Sequence, residues 1–389
     1  MKKILVISPF FYPEPISTGK FNTDMVVALR DKGHNVKVLC FHPFYPNWKV
    51  SKSNKNLQGI TIIRGGKNNF YSSKTLIRRI VLELSFMFFI LRKITKHQKG
   101  IDIIIPVFPP SLAFYFLLPF LNKKVKKIGI VHDLQEIYSS KKTGIIFKVF
   151  NKVINRIEKK VYSSCNRLIF LSEEMKVFAK ARYQLNEEGL KVQYPFVTID
   201  VFRKKTNDLS NLFHKDKKHI VYSGALGEKQ NPIELLKIFQ YCSKNLKNVH
   251  FHFFSQGSIF NKLKQQNKNP NIYFHDLVPK ENIEELYQRS FIQVIPQLPE
   301  TSMGSLPSKL PNLLASQCNV LCITDLGSEI DQLFKKHQIN KVLTSWDENL
   351  FLKAINEFIL EKESTNNRHL KISDALFNVN SMINIILEE

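Results

Sequence analysis

A chain of 389 residues, 43% of them hydrophobic, is too long for one ordinary core, so two domains are expected. Lys and Arg outnumber Asp and Glu by 57 to 33, and the net charge of +24 calls for an anionic partner or surface. The five cysteines (Cys40, Cys165, Cys242, Cys318, Cys322) are scattered and form no Cys-x-x-Cys pair, which argues against a disulfide framework or a thiolate metal site.

The chain opens on KKILVIS, residues 2–8, an apolar run of buried-strand type. That run is too short for a secretory leader and passes into a proline-rich loop, so a cytoplasmic protein is expected. The loop carries Pro13, Pro15, Gly19 and Lys20. A helical pattern with Met25, Val26 and Leu29 follows, stops at Gly33-His34, and leads into a strand at 36–40. Residues 76–96, LIRRIVLELSFMFFILRKITK, form a helix with a broad apolar surface, bracketed by Arg78 and Arg79 and by Arg92, Lys93 and Lys96. Two readings stay open for it. It is an interfacial helix drawn to anionic lipid headgroups, or a core helix with solvated ends. Lys123, Lys124, Lys126 and Lys127 add a second basic cluster, and residues 141–160 a third. No nucleic-acid-binding module accompanies this charge, so no nucleic-acid partner is expected.

Residues 101–121 contain Asp102 and four prolines, and read as strand, turn and helix, not as a membrane span. Val131-His132-Asp133-Leu134 ends a strand and enters a loop that also holds Glu136. In FLSEEM, residues 170–175, Ser172 has the position of a helix N-cap. Residues 194–202 look like a crossover, and 204–217 like a polar, mobile linker. After a strand at 219–222 come Gly224, Gly227 and Lys229, a glycine-containing loop that leads into a helix. Gly257 forms a second such turn, and Glu300 lies in a later loop. Pro307-Ser308-Lys309 then precedes a short helical pattern with Leu310, Leu313 and Leu314 on one face. An apolar strand at 320–323 is followed by Asp325, Gly327, Ser328 and Glu329. Polar groups at element ends are where open α/β sheets bind ligands. His97, His214, His252 and His275 show no ligand spacing. Residues 372–387 read as one amphipathic helix. Strands alternating with helices give an α/β chain with parallel sheets.

Taken in order, these pieces resemble the family 4 glycosyltransferases, in particular the capsule, colanic-acid and O-antigen branch with a Pro-Ser-Lys signature. The resemblance implies two Rossmann-like domains facing a cleft, the GT-B type. The first would cover 1–194, with the helix at 372–387 packing back onto it. The second, nucleotide-sugar-binding domain would cover 195–371. It implies catalytic or donor-sugar contacts from His132, Asp133 and Lys309. It implies donor binding by Gly19, Lys20, Gly224, Gly227, Lys229, Gly257, Glu300, Ser308, Asn312 and Glu329. The commoner family pattern has two glutamates on the late helix. The corresponding positions here are Gly304 and Asn312, and the Arg usual after the first glycine of the second domain is Ala225. Asn312 can still hydrogen-bond ribose hydroxyls. No Asp-x-Asp stands beside these groups, so the diphosphate is expected to be held by helix ends and lysines, with no metal and no cofactor. The implied activity is retaining hexosyl transfer from a nucleotide diphosphate sugar. The acceptor would be a lipid-linked or growing glycan at the anionic inner leaflet, with the enzyme peripheral on the membrane. A sugar-nucleotide epimerase and a catalytically silent nucleotide-sugar-binding partner are the alternatives.

Overall fold

The structure, a computed structural model, describes all residues except 68–69, 73, 135–144, 200–206, 302–305, 362–365 and 389. The chain forms two compact units, Met1–Pro195 with Asn378–Glu389, and Phe196–Phe377.

The first unit holds a seven-stranded sheet in the order β3-β2-β1-β4-β5-β6-β7. Its strands are β1 (Lys3–Ile7), β2 (Asn35–Phe41), β3 (Ile60–Gly65), β4 (Ile103–Phe108), β5 (Lys126–Val131), β6 (Arg167–Phe170) and β7 (Leu190–Val192). Every pairing is parallel. Strands buried on both faces need continuous apolar sequence, and β4, with every residue buried, has it. The strand order reverses between β1 and β4, which opens a crevice at their carboxyl ends. Gly129 in β5 is required by packing. A Cβ there would lie 2.7 Å from both Leu168 and Phe108. Ser172 caps the helix Glu173–Tyr183 by accepting from the Met175 amide at 3.1 Å, as its position predicts.

The segment 372–387 is not one helix. It is divided between Asn366–Leu376 in the second unit and Val379–Leu387 in the first. Asn378 breaks it, because its side chain accepts from the Asn380 amide at 2.8 Å and starts a new helix. Met382, Ile383 and Ile386 of that helix are buried, and the Lys32 ammonium donates to Asn384 at 3.2 Å.

The second unit holds a six-stranded parallel sheet, β10-β9-β8-β11-β12-β13. The strands are β8 (Lys218–Ser223), β9 (Val249–Phe254), β10 (Ile272–His275), β11 (Ile292–Pro296), β12 (Val320–Ile323) and β13 (Lys341–Leu343). The switch in order falls between β8 and β11. The core joins Ile220, Phe251, Phe253, Val294 and Leu321 of the sheet to Leu235, Phe239, Phe351 and Ile355 of the helices. The expected mobile linker is packed from residue 208 onward. The amides of Asp208 and Leu209 donate to the Glu285 carboxylate, and Leu209 and Phe213 are buried.

Candidate functional site

The carboxyl edge of the second sheet gathers most of the expected residues. Lys309 precedes the short helix Leu310–Ala315, and its ammonium turns inward to the switch point. It donates to the Val294 carbonyl of β11 at 2.6 Å and to the Ser223 carbonyl of β8 at 3.3 Å. It also stands 4.5 Å from the centroid of the Tyr222 ring. Desolvation pulls its pKa down to about 7, so near neutrality the side chain exchanges between charged and neutral forms. Ser308 is exposed on the preceding turn.

Two glycines flank this lysine at strand ends. Gly224 follows β8 with φ +129°, and its amide donates to the Phe254 carbonyl at 3.0 Å. Gly257 follows β9 with φ +106° and caps the helix Ser258–Gln266. An added Cβ would meet nothing within 4 Å at Gly257, and only the Tyr222 hydroxyl at 4.0 Å at Gly224. Both positions therefore need glycine for the backbone, and both leave room for another molecule to approach. Gly227 begins the turn Glu228–Gln230, with its amide bonded to Gln230 at 3.0 Å. Lys229 lies in that turn, before the helix Pro232–Asn245, and its carbonyl accepts from Leu298 at 2.8 Å.

The later loops close the same edge. The Glu300 amide donates to Asp325 at 3.0 Å, with Glu300 at φ +61°. Thr324, after β12, donates to Gln297 at 2.6 Å and meets the Ser328 hydroxyl at 3.0 Å. Glu329 is buried at the start of the helix Glu329–His337. Asn312 is committed internally: it accepts from the Thr198 amide at 2.8 Å and donates to the Thr198 hydroxyl at 3.2 Å. That tie between a helix and the crossover segment carries no sequence signal. Gly304 lies outside the described residues, as does Glu136.

His132 and Asp133 follow β5 in the first unit. The His132 amide bonds the Phe108 carbonyl at 2.9 Å, and its ring meets the Phe21 ring edge-on at 4.7 Å. Its Nε2 is buried without a hydrogen-bond partner. Desolvation lowers its pKa to about 3, so the imidazole is neutral. Gly19 and Lys20 are not in the loop, as expected, but in the first turns of the helix Ser17–Asp31. A Cβ on Gly19 would stand 3.0 Å from that of Glu14. The sequence reading also missed Glu14 itself, a buried carboxylate that accepts from the amides of Phe44 and Tyr45.

A further cluster joins His252 to two histidines that the sequence reading did not consider. His219, His250 and His252 are buried together, each with a ring nitrogen within 4.8 Å of the others. The signal was HFH at 250–252, an alternation that puts both rings on one sheet face.

Residues 18–201 match the model of Glycosyltransferase Family 4. The chain is 24% identical over 375 residues to a putative colanic acid biosynthesis glycosyl transferase, WcaI, of Escherichia coli K12, covering 85% of each. Sucrose-phosphate synthase from Thermosynechococcus elongatus superimposes with a TM-score of 0.73 at 12% identity, over 100% of this chain and 97% of that one. Anabaena HepE, solved in complex with UDP and glucose, gives 0.67 at 13%, over 100% and 99%. At such identities the shared property is the fold, two parallel α/β sheets as in GT-B glycosyltransferases.

Proposed function

We propose that this chain, whose residues 18–201 match the Glycosyltransferase Family 4 model, is a retaining glycosyltransferase. It moves a hexosyl group from a nucleotide diphosphate sugar to a lipid-linked or growing surface-polysaccharide acceptor. The observation that supports this best is the Lys309 ammonium at the β8–β11 switch point, between two glycine turns with open space above them. A diphosphate bound there meets a cation and the free amides of the helix Ser258–Gln266. These groups stabilise the negative charge that grows on the leaving diphosphate, without a metal at that position. Binding an anion also restores full charge to Lys309. One N–H of Asn312 stays available to a ribose hydroxyl beside its bond to Thr198. In the first unit the neutral His132 keeps a buried Nε2 without a hydrogen-bond partner.

A membrane-borne acceptor is supported by the helix Thr75–His97. Ile77, Ile80, Leu84 and Phe88 are exposed along one stripe, which continues into exposed Arg92 and Lys96. Tyr115, Phe116 and Phe120 extend the apolar area, and Lys123 and Lys124 follow them. Apolar side chains rimmed by cations suit an anionic lipid surface. Among the described residues no helix is long and apolar enough to cross a membrane.

The test is calorimetry of the purified chain with nucleoside diphosphates, UDP first, in magnesium- and manganese-free buffer. Donor hydrolysis and the anomeric configuration of the transferred sugar are then followed by NMR. Transfer with retention supports the proposal. An epimerised free donor would make the protein an epimerase. Tight binding with no turnover would make it a silent nucleotide-sugar-binding partner, a reading favoured by Asn312 in place of the usual acid.

A further inference from the structure

The histidines of β8 and β9 form a site unrelated to the donor edge. His219 pairs in register with His250, and His252 is two residues further along β9, so all three rings share a sheet face. His219 and His250 are second in their strands, near the amino ends. They lie about 13 Å along the strands from the carboxyl ends Ser223 and Phe254 that precede the glycine turns, at roughly 3.3 Å per residue.

The hydrogen bonds fix the protons. His219 Nε2 lies 2.9 Å from the His214 carbonyl, which only accepts, so this nitrogen carries the hydrogen. His219 Nδ1 is then a lone pair, and it faces His252 Nε2 at 2.9 Å. His252 Nδ1 in turn faces His275 Nε2 at 3.0 Å. His250 Nδ1 is buried with no partner. Burial disfavours the protonated form of every ring in the cluster, and neighbouring rings add to the effect at His252 and His250. Neutral imidazoles are what a divalent metal requires. The second shell is also present. A metal on His219 Nδ1 leaves Nε2–H on a backbone carbonyl, the usual support of a ligating histidine. A metal on His252 Nε2 moves its proton to Nδ1, where His275 Nε2 accepts it after shifting its own proton to Nδ1. No proton leaves the site. The exposed His214 meets the His250 ring edge-on at 5.5 Å, with Asp216 as the nearby negative charge and Lys217 as an opposing one.

We infer that His219, His250 and His252 bind a divalent transition-metal ion of the zinc type, with His214 or water as the fourth ligand. Three imidazoles without a thiolate select such ions over magnesium or calcium. Tetrahedral bonds of about 2.0–2.1 Å place ligand nitrogens about 3.4 Å apart, so entry of the ion parts His219 and His252 by about 0.5 Å and draws His250 in. The ion would cross-link β8 to β9 and stabilise the second unit.

The experiment uses full-length protein without a histidine tag, stripped with chelator and then titrated with Zn²⁺ against a chelating dye. Co²⁺ loading reports geometry by its visible spectrum. The expected results are one ion per chain, a tetrahedral Co²⁺ spectrum, and a Tm rise of about 5–10 °C at a hundredfold excess over Kd. His250→Gln and His252→Gln, checked for folding by circular dichroism, should each lower affinity at least a hundredfold. Wild-type protein that binds less than half an equivalent, or gives an octahedral Co²⁺ spectrum, overturns the inference. So does undiminished binding by both folded variants, which would place the ion on surface histidines.

Discussion

Replacing Lys309 by Met should make the protein more stable and a poorer nucleotide binder at once. The wild-type ammonium is held by two carbonyls and an aromatic face, yet desolvation still brings its pKa from 10.5 down to about 7. At about 1.4 kcal/mol per pH unit, that lowering costs the charged form about 5 kcal/mol, of which about 4 kcal/mol remains at pH 7 because about half of the folded lysines have released the proton. Met removes the charge at similar volume, but the Val294 and Ser223 carbonyls lose a donor, which returns about 1–3 kcal/mol. A net gain of about 1–3 kcal/mol remains, or a Tm rise of about 2–10 °C for a unit of this size. The pH dependence has a definite sign. Between pH 7 and 10.5 the unfolded lysine holds a proton that the folded one has released, so wild-type stability rises with pH through this window. The variant lacks that slope, and its advantage should shrink as pH rises. Nucleoside diphosphate affinity should fall about ten- to hundredfold, the scale of a lost charge-assisted contact. Thermal melts from pH 7 to 10 and calorimetry on both proteins decide the matter. Lower stability at pH 7 with unchanged affinity would show that Lys309 is a structural post and refute the reasoning.

Gly257→Ala should cost about 1–3 kcal/mol in denaturant melts through backbone strain alone, since its Cβ meets nothing within 4 Å at φ +106°, and should weaken nucleotide binding as well. Gly129→Ala should cost a similar amount through overpacking against Leu168 and Phe108, with nucleotide affinity intact in calorimetry. Metal-free protein should lose stability from pH 6.5 towards 4. His132, His252 and His275 stay neutral when folded but charge when unfolded, each adding a slope of up to about 1.4 kcal/mol per pH unit, and His132→Phe should flatten part of it in melts. In sedimentation with anionic liposomes, changing Arg92, Lys93 and Lys96 to Glu should move the protein into the supernatant, at about 1 kcal/mol for each basic residue near the surface, and high salt should do the same. Wild-type protein that ignores such liposomes would return that helix to ordinary surface.

The parallel sheets were legible because strands buried on both faces must be written as unbroken apolar runs, and residues 103–105 and 320–323 are such runs. Glycines with positive φ were legible for a related reason. Gly224 directly follows β8 and Gly257 comes three residues after the end of β9, where the chain turns at positive φ without a Cβ. The break at Asn378 was present as an N-cap residue, but Leu376, Phe377, Met382 and Ile386 keep helical spacing across it, and apolar periodicity hid the cap.

What could not be read depends on register between distant segments. His219 and His250 are neighbours only because β8 and β9 pair in parallel with that offset, and a shift of one residue would put them on opposite faces. Thr198 and Asn312 meet across 114 residues. Lys309 is the sharpest case. A lysine after Pro-Ser ordinarily reads as a solvated turn residue or as a cation aimed at a ligand. Here its ammonium reaches two carbonyls that belong to different strands, and those strands are adjacent only because the sheet order reverses between them. Its lowered pKa, and with it the opposed effects expected on stability and binding, arises from that topology and not from any neighbour in sequence.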